Sequence, residues 1–136
     1  MNKEFTSEEI IQLIEGRDTS ESLVIEESAI KDTDLEGYNL TNITFNLCSF
    51  ENCNLAGADF SDSSISGTLF RECPMHACRF VNTNMTEAIF RDIDLSDSDL
   101  SGANLYAAVL EDANLDGIIV DENTKWYRMV PPEEGA

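Results

Sequence analysis

From Leu35 to Leu115, every fifth residue is a leucine, phenylalanine, isoleucine or methionine. The series runs Leu35, Leu40, Phe45, Phe50, Leu55, Phe60, Ile65, Phe70, Met75, Phe80, Met85, Phe90, Leu95, Leu100, Leu105, Leu110 and Leu115. Ile25 and Ile30 extend it backward and Val120 extends it forward. No common secondary structure has this period. Fifth positions scatter around the circumference of an α-helix, and on a flat strand an odd spacing alternates between faces. One buried face therefore requires the chain to turn once per pentapeptide.

Each position of the unit has its own chemistry. Two residues before the apolar centre the side chain is mostly small, as in Cys48, Cys53, Ala58, Ser63, Thr68, Cys73 and Cys78. That suits an inward position in a tight interior. The residue just before the centre is often Asn or Asp, as at Asp34, Asn39, Asn54, Asp59, Asn84, Asp94, Asp99, Asn104 and Asn114. The two residues after it are rich in Ser, Thr, Asp, Glu and Gly, which fits outward turns.

The units Ala58-Asp59-Phe60-Ser61-Asp62, Ala103-Asn104-Leu105-Tyr106-Ala107 and Ala113-Asn114-Leu115-Asp116-Gly117 resemble the A-(D/N)-(L/F)-x-x signature of the pentapeptide repeat family. Tandem register of this length is specific. The resemblance implies an all-β fold, a right-handed quadrilateral β-helix of about five coils with four pentapeptides in each. A coil of twenty is supported by recurrences at that spacing: Phe50, Phe70 and Phe90; Cys53 and Cys73; Arg71 and Arg91; Asp92 and Asp112. Four internal ladders follow, among them Leu40/Phe60/Phe80/Leu100 and Phe50/Phe70/Phe90/Leu110.

The expected organisation is a capping helix in 1–20, the β-helix in 21–122 and a C-terminal cap or tail in 123–136. Thr6 and Glu9 form a capping box, and Phe5 is placed to staple against Ile10. The helix is expected from about Ser7 to Glu15, packing Ile10, Ile11, Leu13 and Ile14, with Gly16 as its stop. The aromatic, amphipathic stretch from Asn123 to Val130 leaves the register. Together with Pro132-Glu133-Glu134-Gly135-Ala136 it resembles a segment through which some pentapeptide proteins continue, so the chain reads as a shorter member or a fragment.

The formal charge is −19, from 27 acidic and 8 basic residues. A basic stripe for nucleic acid is missing, and an anionic membrane surface is disfavoured. Residues 1–30 carry eight acids against two bases, residues 61–90 three against two, and residues 91–120 seven against one, so the waist is nearly neutral. Neither a signal peptide nor a stretch of transmembrane length is visible, which leads us to expect a cytoplasmic protein with reduced thiols.

Cys48, Cys53, Cys73 and Cys78 form C-x4-C…C-x4-C, with His76 between the last two. Zinc is weighed and rejected, because the register turns the cysteines inward on different faces and His76 outward. The same geometry rejects a Cys–His nucleophile. Calcium at Asp92, Asp94, Asp97 and Asp99 ranks low because turn residues of different faces diverge. No phosphate loop or dinucleotide fingerprint is present, and a convex rod lacks a cleft in which to tune carboxylates. The chain is therefore read as non-enzymatic, with no cofactor, metal or small-molecule substrate expected.

One departure stands out. Leu69, Ile89 and Val109 replace the usual Asn or Asp at three positions twenty apart. They make an outward apolar stripe, with Arg71 and Arg91 beside it between Glu51 and Glu111. Either the C-terminal segment with Trp126 and Tyr127 folds back over it, or it meets a protein partner or a second copy. The expected role is thus an interaction or structural scaffold. The alternative is DNA mimicry, since some members of the family imitate duplex DNA and bind type II topoisomerases such as gyrase. Five coils spanning ~24 Å would have to match about fourteen phosphates. The total charge meets that, whereas the neutral waist and the short chain do not.

Overall fold

The computed structural model describes residues 3–126. From Leu23 to Ile119 every backbone pairing is parallel and joins residues twenty apart. The fold is the expected right-handed quadrilateral β-helix of about five turns with one short helix. Its strands are β1 (Glu4–Phe5), β2 (Leu23–Val24), β3 (Ala29–Lys31), β4 (Ile43–Thr44), β5 (Ser49–Glu51), β6 (Leu69–Arg71), β7 (Asn104–Leu105) and β8 (Lys125–Trp126), with the helix α1 (Ser7–Glu15) between β1 and β2.

The regular pentapeptide corner is built by three local rules. The residue two after each centre lies in the left-handed region, for example Asp62 at φ 62° and Asn82 at φ 56°. The N–H that follows closes the turn onto the centre's carbonyl, as Ser63 does on Phe60 at 3.1 Å. A left-handed third residue is what a type II turn demands, and Asn, Asp and Gly supply it at least cost. The Asn or Asp before the centre then accepts from the N–H two residues on, as Asp59 does from Ser61 at 2.9 Å and Asn104 from Tyr106 at 3.0 Å. This Asx bond anchors the near side of the corner.

Inside, the centres stack. Phe50, Phe70 and Phe90 form one column with ring centroids 5.1 Å apart, and Phe60 lies over Phe80 at 5.3 Å. Rings of neighbouring faces meet edge to face, as Phe45 does Phe50 at 5.1 Å and 72°, and rings of opposite faces do so across the core, as Phe60 does Phe70 at 6.4 Å and 84°. The rung spacing imposes the stacking and the square section imposes the T-contacts, both of which suit aromatic quadrupoles.

The small inward position is also polar for a reason. Its hydroxyl or thiol donates to the centre's carbonyl in the preceding coil: Ser63 to Leu40 at 2.7 Å, Thr83 to Phe60 at 2.8 Å and Cys78 to Leu55 at 3.0 Å. Some of these oxygens also accept an N–H, as Ser98 does from Cys78 at 3.1 Å. All four cysteines are free and buried in this role. Burial pushes the Cys78 thiol up to about 12, and Cys73 is raised by its contact with the Cys53 thiol and by burial. Cys73 and Cys78 are therefore neutral packing groups, since nucleophilic attack and metal binding need the thiolate.

The helix α1 matches its expected bounds, and the capping box is present, with Thr6 Oγ1 accepting from Glu9 N at 3.1 Å and Glu9 Oε1 from Thr6 N at 3.0 Å. Ile10 and Ile14 are buried, whereas Leu13 is 40% exposed and does not pack as expected. Gly16 ends the helix in a right-handed conformation at φ −84°. Its lack of a side chain matters for space, because a Cβ there would lie 2.9 Å from the Gln12 carbonyl. Phe5 does more than staple: β1 pairs in parallel with β3, setting Phe5 beside Ile30 and adding a rung to the Phe50/Phe70/Phe90 column. Arg17 then ties the helix end to the first coil, donating to the carbonyls of Ile14 at 2.6 Å, Asn39 at 3.0 Å and Thr41 at 3.1 Å.

At the other end the register slips by one residue. Lys125 pairs with Asn104 and Trp126 with Leu105, twenty-one apart. Val120 keeps the spacing of the series but is 41% exposed, because it lies in the last coil and the next described rung covers the Asn104–Leu105 face instead. The Thr124 hydroxyl takes the inward role, donating to Leu100 O at 2.9 Å.

Carboxylates in these corners couple the fold to pH. Asp94 is held below the usual carboxylate range by the Ser96 hydroxyl and N–H, and Asp121 by the Gly102 N–H. A folded pKa below the unfolded one stabilises at pH values above the unfolded pKa, and that contribution is lost as pH falls through the folded value. The melting temperature should therefore drop as pH descends below about 4. Asp94→Asn, which keeps the Asx acceptor, should weaken this acid dependence while leaving the neutral-pH melt nearly unchanged. Thermal denaturation across pH checks it.

Candidate interaction surface

Four of the eight strands among the described residues join in one sheet on a single face, in the order β1-β3-β5-β6. Here the position before the centre is Ala29, Ser49, Leu69, Ile89 and Val109 in register. None of these can make an Asx bond, and at β3, β5 and β6 the backbone runs extended through the centre and one residue beyond.

Leu69, Ile89 and Val109 form the continuous ladder expected of them and are half-buried. Trp126 does not cover it. It pairs over Leu105, on the neighbouring face, where the inserted residue sets it above Leu105 rather than Tyr106. Tyr127 lies outside the described residues.

Arg71 and Arg91 stand beside the stripe as expected, but they do not make a free basic patch. Arg71 reaches Glu51 at 3.8 Å and Arg91 reaches Glu111 at 2.8 Å, each along the column one coil away. Lys31 in the same column pairs with Glu4 at 3.2 Å. Such exposed pairs add ~0–1 kcal/mol at most, but they neutralise the strip next to the apolar ladder. Leu69, Phe70, Arg71, Arg91 and Asp92 line a shallow depression of about 360 Å³.

Sequence reasoning missed Leu47. It occupies a left-handed corner at φ 57° and is 65% exposed. The other described corner residues with positive φ are Asn, Asp, Glu, Ala or Gly. With Leu69 it lines a second open depression of about 480 Å³ that continues the stripe toward the N-terminal coil. The signal was available in the sequence, as a leucine two residues after a centre, where turn residues belong.

His76 and the acids of the other faces do not converge. Among the described residues no three His, Cys, Asp or Glu side chains come together as a metal site would need, and no helix is long and apolar enough to cross a membrane.

The repeat, its corners and its square core define a pentapeptide repeat β-helix, and comparison agrees. Residues 43–119 match the family model described as a pentapeptide repeat region. The chain belongs to the pentapeptide repeat family. Comparison with curated proteins finds no significant match. Among solved structures it is similar to Rfr23 of the cyanobacterium Cyanothece 51142, with 17% identity, 76% of this chain and 88% of that one covered, and a TM-score of 0.39. It is also similar to a pentapeptide repeat protein of the Arabidopsis thaliana thylakoid lumen, at 18% identity, 75% and 69% coverage and a TM-score of 0.45. A third is QnrB1, a plasmid-mediated fluoroquinolone resistance protein, at 18% identity, 91% and 72% coverage and a TM-score of 0.34.

Proposed function

We propose that this chain is a non-enzymatic cytoplasmic scaffold that presents its Leu69–Ile89–Val109 face to a protein partner. One observation carries this reading: that face alone lacks Asx bonds throughout and carries in their place an apolar ladder, which a structural rung does not need. Four regular outer faces and shallow depressions suit surface contact better than catalysis. The total charge of −19 favours the alternative, imitation of DNA toward a type II topoisomerase. Against it, Arg71, Arg79 and Arg91 interrupt the acidic surface where a mimic would need phosphate-like charge.

The test compares wild type with Ile89→Asp. The variant should keep its far-UV CD and its melt, because Ile89 points outward, while losing proteins captured by wild type from lysate of the source cell. Identical captured sets would remove the face from the proposal. Inhibition of gyrase supercoiling by wild type and Ile89→Asp alike would favour mimicry.

A further inference from the structure

We infer that this surface extends across the corner to Leu47 and takes an apolar segment bordered by lysine or arginine, contributed by a different protein. The inference rests on the scaffold reading above and adds the chemistry of the partner.

Leu47 is the first ground. A leucine in the left-handed region pays for crowding that Asn or Gly would escape, and solvent exposure returns nothing for it. The next coil makes room for it: a Cβ on Gly67 would lie 2.7 Å from Leu47 Cδ2, so the glycine leaves space for the leucine to lie along the corner where a larger residue would push its tip aside. Leu47 and Leu69 then wall one depression, and the apolar ladder continues from it through Ile89 and Val109. A strained, exposed apolar residue that adjoins an apolar ladder belongs to a contact surface.

Charge selects the occupant. The corner beyond the stripe carries Glu72, Asp92 and Asp112, exposed and stacked twenty apart, and the opposite corner carries Glu87. Between them Arg71 and Arg91 are matched by Glu51 and Glu111. The apolar ladder is therefore flanked by an acidic column on one side and by Glu87 on the other. A second copy laid antiparallel and centred on Ile89 would set Asp92 against Asp92 and Glu87 against Glu87, between molecules of charge −19. Like charges juxtaposed across an interface are a strong deterrent. A segment with apolar residues on its inner side and cations at its edges meets both margins favourably.

Two synthetic heptapeptides serve as probes, one alternating leucine with lysine and one alternating leucine with glutamate, read by fluorescence anisotropy at low and at high salt. The leucine–lysine peptide should bind saturably and more weakly at high salt, and the leucine–glutamate peptide should not bind. Leu47→Asn and Ile89→Asp should each weaken binding about tenfold or more, as loss of a central apolar contact does. Leu47→Asn should at the same time hold or raise the melting temperature, because asparagine suits the corner, so its loss of binding cannot be ascribed to unfolding. Asp99→Asn, which removes one charge on another face, should leave the affinity unchanged and so expose any general attraction of cations to an acidic rod. Affinity insensitive to Leu47→Asn and Ile89→Asp, or equal binding of both peptides, would overturn the inference. So would sedimentation of wild type as a dimer that Ile89→Asp dissociates. If partner capture still depends on Ile89 in any of these cases, the scaffold reading stands and the partner chemistry proposed here fails. If capture is independent of Ile89, both fail.

Discussion

Truncating Phe70 to alanine is expected to cost about 3–5 kcal/mol, the range for a fully buried phenylalanine. Phe70 is 1% exposed and lies at the middle of its column, with Phe50 and Phe90 each 5.1 Å away and Phe60 edge-on at 6.4 Å. The cavity has little means of collapsing. The rungs above and below are held apart by parallel backbone hydrogen bonds, so the rings cannot close the gap without breaking Phe70 N to Ile89 O at 3.1 Å and its neighbours. Leu110→Ala, at the half-buried end of the same column, should cost half as much or less. Urea denaturation of the two variants at unchanged m-value measures the difference. Equal losses would mean that the stack contributes no more than a partly exposed leucine.

Replacing Thr68 with valine should destabilise as a polar deletion in the core, at ~1–3 kcal/mol for each orphaned group. The Thr68 hydroxyl is fully buried, donates to Phe45 O and accepts from Cys48 N at 3.2 Å. Valine keeps the shape and leaves both backbone groups unpaired in a dry interior. Thr68→Ser, which keeps the hydroxyl and loses a methyl, should be the milder change. Chemical denaturation ranks the pair, and a valine variant as stable as wild type would show that the inward hydroxyls only fill space.

Much of the architecture was legible because the repeat is one-dimensional. When each coil contacts only its neighbours, a strict period of five and recurrences at twenty specify the whole core. The ladders, the inward cysteines, the capping box and the apolar stripe all follow from counting. What counting could not supply lies where the period stops or is kept in spacing alone. Phe5 precedes the repeat, and only the parallel pairing of β1 with β3 makes it a rung. Val120 keeps the spacing but is not buried, because it belongs to the last coil and no described rung lies over its column, while one extra residue sets Trp126 above Leu105.

The candidate surface divides in the same way. The sequence by itself determined that Leu69, Ile89 and Val109 share one outward line, since side-chain direction follows from position in the pentapeptide. Only the tertiary structure decided that Trp126 lies elsewhere, that Arg71 and Arg91 are matched by acids one coil away, and that Leu47 joins the surface in a conformation leucine avoids. These outcomes depend on contacts between coils and on the direction of each corner. A period records which residues face inward, but salt-bridge partners and backbone strain are set by distances across the stack.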